Sequence, residues 1–237
     1  IVDWTESQSA QIGWLSLDSA DDDPTRFFSY LVAAIEQRVP NVVDGLSALL
    51  QHAHRETFDD VVDALINRLA RLEDQLIIAL DDYHRIENQQ IHEAVARLLA
   101  NCPPFVTFAL ITRSDPPFSL ARMRANSELT EVRAQDLAFT DGETTSFFNE
   151  SFGLGLTAEQ VHALSRRTEG WSAGLHMVAL AMQSPGLDKA SFISNFTGSH
   201  RHILDYLMEE VLRYQPERVR NFMMKISPLH QFNVSLC

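Results

Sequence analysis

The 237-residue sequence is poor in cysteine and has no long apolar segment. Its two cysteines, Cys102 and Cys237, lie far apart in the sequence, which argues against a disulfide-stabilised fold and favours a reducing compartment. Cysteine and histidine do not cluster at the spacing of a zinc site. No apolar run approaches the roughly 20 residues that a transmembrane helix needs. We therefore predict a cytoplasmic protein with no membrane partner.

Lysine is also nearly absent. Lys189 and Lys225 are the only two, and the formal net charge is −13. Such an acidic chain is a poor match for a nucleic-acid backbone, so we expect no direct contact of these residues with DNA or RNA. Neither lysine stands in the phosphate-binding pattern Gly-x-x-x-x-Gly-Lys-Ser/Thr. We expect these 237 residues by themselves to bind ATP poorly or not at all.

The most informative stretch is an apolar run, residues 75–80, that ends in Asp81 and Asp82. A short apolar run bounded by polar residues is typical of a strand buried on both faces of a parallel sheet. Ligands of such sheets bind at the carboxyl ends of the strands. One carboxylate could hold Mg²⁺ and the other could orient a water molecule against a phosphate. The alternative is a strand that happens to end in an acidic loop.

Other segments extend this pattern up to residue 137. Strands are predicted at 12–17 and 105–112 and, more weakly, at 129–133, with amphipathic helices at 24–38, 57–72 and 91–99. Arg113 directly follows the strand at 105–112, and it could bind a phosphate or simply pair with Asp115 or Asp82. The acidic run at 18–23 is interpreted as a solvated loop. Pro24 suits the first turn of the helix that follows, with Asp22 or Asp23 as its possible cap. His84 could join the aspartates in a metal site or be a structural, hydrogen-bonded residue.

After residue 137 the pattern predicts helices alone. Candidates are 140–152, 157–168, 171–183, 191–196, 202–214 and 216–226, and Thr157 with Gln160 has the form of a capping box. Gly170 and Trp171 open one of these helices. They could lie against the base of a ligand, or the glycine could allow close helix packing.

Several motifs together resemble the large ATP-binding LuxR-type regulators, whose type is MalT. The motifs are Trp14-Leu15-Ser16-Leu17-Asp18, Asp23-Pro24-Thr25-Arg26-Phe27, Leu80-Asp81-Asp82-Tyr83-His84, Thr112-Arg113-Ser114-Asp115-Pro116-Pro117, Leu129-Thr130-Glu131-Val132-Arg133 and Thr168-Glu169-Gly170-Trp171-Ser172-Ala173-Gly174-Leu175. The resemblance runs from about Trp14 to the end of the sequence. Each motif is common by itself, and their order and spacing make the set specific.

The resemblance implies a STAND-type signalling ATPase that switches between ADP and ATP with Mg²⁺. It implies that Asp81 serves Mg²⁺, Asp82 polarises water and Arg113 senses the terminal phosphate, with Gly170 and Trp171 near the base. The implied fold is α/β: an incomplete P-loop-NTPase-like core at 1–137 with a parallel sheet, a helical subdomain at 138–198 and the start of a winged-helix subdomain at 199–237. The resemblance places the strand that carries the phosphate-binding loop between the Asp81 and Arg113 strands. That strand is expected to lie outside these residues, and without it the sheet would have unpaired inner edges.

The resemblance further implies transcription regulation with self-association in the active state. Inducer sensing and DNA binding would belong to a sensor and a C-terminal helix-turn-helix domain outside these residues. Two alternatives remain: an interaction module of a signalling protein that does not use nucleotide, and a metal-dependent hydrolase built on Asp81, Asp82 and His84.

Overall fold

The computed structural model describes residues 10–52, 58–183, 188–196 and 217–227. The chain forms two compact units, residues 1–129 and 130–237. The first contains a parallel three-stranded sheet of β1 (Gln11–Ser16), β2 (Leu76–Asp81) and β3 (Val106–Leu110), in the order β1-β2-β3. The predicted α/β class with a parallel sheet is confirmed.

Strand β2 is central because its apolar run can be buried on both faces. It pairs with β1 from Leu76 to Asp81 and with β3 from Leu76 to Leu80. The expectation of unpaired inner edges at these two strands is therefore wrong, since β2 and β3 are hydrogen-bonded neighbours.

The predicted strand at 129–133 is also wrong, because these residues have no regular structure and pair with no strand of the described ranges. The segment holds two apolar side chains, Leu129 and Val132, beside Glu131 and Arg133. Val132 is 63% exposed. So few apolar groups do not bury one face of a strand.

Five helices accompany the sheet in the described part of this unit: α1 (Pro24–Glu36), α2 (Leu46–His52), α3 (Phe58–Leu69), α4 (Gln89–Asn101) and α5 (Leu120–Ala125). Short 3-10 helices cover Ser19–Asp21 and Tyr83–Arg85. Asp23 caps α1 through its side chain and Pro24 fills the first turn, as the sequence predicts. Helix α2 was not predicted, since seven residues give little periodicity.

The close packing of α1 on β1 depends on Gly13. A Cβ atom at this position would lie 3.1 Å from the carbonyl oxygen of Ala34. Helix α1 contributes Phe27 and Phe28 to the core, and Phe28 meets Phe58 of α3 edge to face with ring centroids 5.0 Å apart. This aromatic packing joins the first two long helices over the sheet.

The described part of the second unit consists of helices and has no strand. They are α6 (Ala134–Leu137), α7 (Asp141–Ser146), α8 (Ala158–Thr168), α9 (Ser172–Met182), α10 (Lys189–Asn195) and α11 (Glu217–Ile226). Helix α7 continues as a π-helical turn, Phe147–Ser151. The predicted capping box of Thr157 and Gln160 is confirmed at the start of α8. The second unit has its own apolar core, which includes Phe148, Leu164 and Val178.

Some predictions fall on residues outside the described ranges. These are the helix at 202–214 and the winged-helix subdomain at 199–237, apart from α11. The three-part division at residues 137 and 198 stays a prediction. None of the helices in the described ranges is long and apolar enough to cross a membrane.

Candidate functional site

The carboxyl ends of β2 and β3 stay together beyond the last paired residues of the two strands. The amide of Ile111 donates to the carbonyl of Leu80 at 2.9 Å, and the amide of Tyr83 donates to the carbonyl of Ile111 at 3.0 Å. This pairing runs past Asp81 and Asp82 on one strand and reaches to within two residues of Arg113 on the other. The acidic pair and Arg113 therefore follow neighbouring strands at one edge of the sheet.

The two aspartates have different conformations. Asp81 ends β2, and its Oδ1 accepts a hydrogen bond from the amide of Asp82 at 3.0 Å. Asp82 has φ 56° and ψ 35°, a left-handed conformation that Asp adopts more readily than most residues. The Asp82 side chain is 46% exposed. One carboxylate therefore faces its own backbone, and the other is open to a ligand or to water.

His84 lies among the charges of this edge. Its Nδ1 is 3.8 Å from Oδ1 of Asp82. Burial lowers the pKa of the His84 imidazole, and the charges of Arg113 and Arg85 lower it further, while Asp82 and Asp81 raise it. Arg113 and both aspartates are thus close enough to His84 for their charges to act on its imidazole.

Tyr83 and His92 hold the loop after β2 in place. Tyr83 is fully buried, and its hydroxyl lies 2.9 Å from Nδ1 of His92 on α4. The ring of Phe118, in the segment after β3, packs near both, with its centroid 5.7 Å from that of Tyr83. This cluster connects the loop that carries Asp82 with the segment that follows Arg113. Sequence reasoning missed it, although an aromatic residue directly after the acidic pair is a usable signal.

The acidic run at 18–23 is not a solvated loop, and that prediction is wrong. Asp18 and Asp21 form a capping box, and Asp21 is buried beside Arg26. Oδ1 of Asp22 accepts hydrogen bonds from the amides of Glu87 and Asn88 at 2.8 and 2.7 Å. The loop after β1 is thereby fastened to the loop after β2, because fixed backbone donors give each carboxylate a specific partner.

Gly170 and Trp171 belong to the second unit. Gly170 has φ 70°, and its carbonyl accepts from the amide of Phe139 at 2.9 Å. A Cβ atom on Gly174 would lie 2.7 Å from the ring of Trp171, so this glycine leaves room for the indole. Both glycines therefore have a packing explanation. A role of Gly170 and Trp171 near a nucleotide base stays a prediction.

The residues at the sheet edge fit a magnesium nucleotide in their chemistry. Carboxylate oxygens are the ligands that Mg²⁺ prefers, and an arginine binds phosphate oxygens through several N–H groups. Among the described residues, no group of three or more His, Cys, Asp and Glu side chains could hold a metal ion. Asp81, Asp82 and His84, the residues of the hydrolase alternative, therefore do not form such a group.

Comparison with known proteins agrees with the resemblance seen in the motifs. No protein-family model matches the chain. The chain is 31% identical over 226 residues to the HTH-type transcriptional regulator MalT of Vibrio cholerae, which covers 95% of this chain and 25% of that protein. The proteins of the same name from Klebsiella pneumoniae and Yersinia enterocolitica are 32% and 31% identical over 237 residues, all of this chain and 26% of each relative.

The chain spans about a quarter of the length of the curated relatives that it matches. The matches cover the sheet, the edge with Asp81, Asp82 and Arg113, and the helices of the second unit, because they extend over nearly every residue. Along almost its whole length, this chain is similar in sequence to these MalT proteins.

Proposed function

We propose that this chain is the nucleotide-switch segment of a MalT-like transcriptional regulator. In this proposal the full-length regulator binds ATP or ADP with Mg²⁺. The observation that carries the proposal is the direct parallel pairing of β2 with β3. This pairing brings Asp81, Asp82 and Arg113, which are separate in the sequence, to one edge of the sheet. Ligand sites of open α/β sheets lie at such an edge.

Each residue has a role that its environment supports. Asp81 is assigned to Mg²⁺, either directly or through water, since its position at the end of β2 is fixed by its pairing with Ser16 of β1. Asp82 is assigned to water, since its carboxylate is half exposed. Arg113 is assigned to the terminal phosphate, the group that distinguishes ATP from ADP. Bound Mg²⁺ would neutralise phosphate charge in the site.

The regulatory part of the proposal comes from the relatives, which are named as HTH-type transcriptional regulators. We assign DNA contact to a helix-turn-helix domain outside these residues, because the net charge of −13 disfavours contact with a phosphate backbone. In this proposal ATP binding favours self-association, and an inducer acts through a separate sensor domain. Gly170 and Trp171 are proposed to lie near the base in the ATP-bound state.

Equilibrium binding of Mg-ATP and Mg-ADP to the full-length natural protein tests the proposal. We expect the substitution Arg113→Ala to weaken ATP binding about tenfold or more while ADP binding changes little, because a charged hydrogen bond to the terminal phosphate is lost. Arg122→Ala, an exposed arginine on α5, is the matched control for the change in charge.

Absence of nucleotide binding to the wild-type protein would contradict the proposal. An equal effect of the Arg113 and Arg122 substitutions on ATP binding would contradict the role of Arg113. Unchanged transcriptional activation by Asp81→Asn and Asp82→Asn variants would favour an interaction module that does not use nucleotide.

A further inference from the structure

His84 has a buried ring nitrogen, Nδ1, that forms no hydrogen bond with any of the described residues. Its side chain is 16% exposed, and Nδ1 is inaccessible to solvent. A buried polar atom in a folded protein usually has a partner, so a lone one calls for an explanation. The neighbouring ring of the same type, His92, has its Nδ1 satisfied by Tyr83. His84 is therefore the exception at this edge of the sheet.

One carboxylate oxygen lies close to this nitrogen. Oδ1 of Asp82 lies 3.8 Å away, beyond hydrogen-bond range by less than about 1 Å. Asp82 is half exposed, and in the described part of the chain no hydrogen bond reaches its carboxylate. The backbone of Asp82 is in the left-handed region, and rotation about its side-chain bonds is the motion that would bring Oδ1 within range of Nδ1.

The orientation of the backbone keeps the imidazole close to Asp82. His84 lies in the 3-10 helix Tyr83–Arg85. The first residue of this helix is anchored by its amide to the carbonyl of Ile111, directly after β3, and by its hydroxyl to His92. Burial also lowers the pKa of the imidazole, which favours the neutral ring. A neutral ring with its hydrogen on Nδ1 can donate to the Asp82 carboxylate.

We propose that His84 is a positioning residue whose Nδ1–H group donates a hydrogen bond to Asp82 and fixes the carboxylate that orients water. This inference rests on the proposed nucleotide function and extends it. His84 itself touches neither nucleotide nor metal in this arrangement. Its effect is to select one side-chain orientation of an exposed carboxylate, which matters because small errors in position slow a reaction strongly.

Three substitutions at one position separate the nitrogen from the ring. The amide nitrogen of Asn reaches about as far from the backbone as Nδ1, and that of Gln reaches about as far as Nε2. In the full-length protein, we expect His84→Gln and His84→Leu to lower the ATP hydrolysis rate about tenfold. His84→Asn should stay within about threefold of the wild type. The affinity for ATP should change less than about twofold in all three, since the nucleotide is not contacted.

The background of Asp82→Asn tests whether His84 acts through Asp82. If it does, His84→Leu causes no further loss of hydrolysis in that background. An equal fold loss in both backgrounds would show a purely structural role and overturn the inference, as would His84→Asn being as slow as His84→Leu. Thermal unfolding of each variant shows whether it is folded. If His84→Leu is misfolded, the comparison of the hydrolysis rates of His84→Asn and His84→Gln tests the inference.

A crystal structure of the full-length protein with Mg²⁺ and a non-hydrolysable ATP analogue provides a measurement that needs no turnover. We expect Nδ1 of His84 and Oδ1 of Asp82 to be about 2.7–3.2 Å apart. A separation above about 4 Å, or a different acceptor for Nδ1, would overturn the inference. If the wild-type protein neither binds nor hydrolyses ATP, the proposed function itself fails. Normal hydrolysis by His84→Leu together with slow hydrolysis by Asp82→Asn would overturn the role of His84 and leave the proposed function intact.

Discussion

Gly170 shows how one residue can be required by the backbone around it. Its φ of 70° is in the left-handed region, and an added Cβ atom would lie 2.6 Å from the carbonyl oxygen and 2.9 Å from the amide nitrogen of Phe139. The amide of Phe139 in turn donates to the carbonyl of Gly170. The turn between α8 and α9 is thus fastened to the segment before α7 through a contact that no side chain permits.

We expect Gly170→Ala to lower the free energy of unfolding by about 2–4 kcal/mol, from the left-handed conformation and the steric overlap together. Gly153→Ala is the matched control, because Gly153 has φ 63° and no heavy atom within 4 Å of an added Cβ. The control should lose only about 1–2 kcal/mol. Urea unfolding measures both, and an equal loss would contradict the steric argument.

His92 makes the stability of the first unit depend on pH. It is 7% exposed and lies against Tyr83 and Phe118. Burial lowers the pKa of the imidazole below its usual 6.5, although the charge of Asp22 and a hydrogen bond with the Ile86 backbone raise it. The unfolded chain therefore takes up a proton at a higher pH than the folded chain does. Stability from this group is complete above about pH 6.5 and falls as the pH drops towards the folded pKa.

We expect the unfolding free energy to fall between pH 7 and pH 5, and to fall less in the His92→Gln variant. Part of the dependence should remain, since the pKa of His84 is lowered in the same direction. His162→Gln removes an exposed imidazole and serves as the control. Urea unfolding at several pH values measures the slope. The same slope for the wild type and His92→Gln would contradict the assignment.

At the scale of elements, the loops after β1 and β2 form one interlocked segment. Asp22 accepts from the amides of Glu87 and Asn88, and the Asn88 side chain donates back to the Asp22 carbonyl at 3.1 Å. Asn88 also caps α4. The position of the loop that carries Asp82 and His84 therefore depends on Asp22, which precedes Glu87 by 65 positions in the chain.

We expect Asp22→Ala to destabilise the protein by about 1–3 kcal/mol, because two backbone amides lose a charged acceptor. Asp22→Asn keeps an oxygen at the same place and should lose clearly less. Chemical denaturation measures the difference. Equal losses would show that the charge of Asp22, and not its contact with the two amides, is what stabilises the loop.

At the scale of the whole molecule, an exposed segment separates the two compact units. Residues 126–133 contain no helix or strand, and nearly all are exposed. The boundary between the units falls within this segment, at Leu129 and Thr130. Segments with few buried contacts open locally at a low free energy, which makes them accessible to proteases.

We expect trypsin to cleave after Arg133 at least about tenfold faster than after Arg97, which lies within α4 and pairs with Asp63. Both arginines are partly exposed, so side-chain access alone does not distinguish them. Mass spectrometry of a digestion time course gives both rates. Similar rates would show that the segment is as protected as a helix.

Elements whose signal is local could be predicted from neighbouring residues. The apolar run before Asp81 predicted β2, Asp23 and Pro24 predicted the start of α1, and Thr157 with Gln160 predicted the cap of α8. These predictions succeed because the groups that interact are within a few residues of each other. The alternation of predicted strands with predicted helices likewise sufficed to predict the parallel α/β class.

Contacts between residues that are distant in the chain could not be predicted in this way. The direct pairing of β2 with β3, the clamp of Asp22 on Glu87 and Asn88, and the contact of His84 with Asp82 depend on how strands are ordered and how loops close. A strand segment such as 129–133 fails for the same reason, since a strand needs a partner edge that no local pattern guarantees. Local propensity depends on neighbouring residues, whereas the energies of burial and strand pairing come from groups that are distant in the chain.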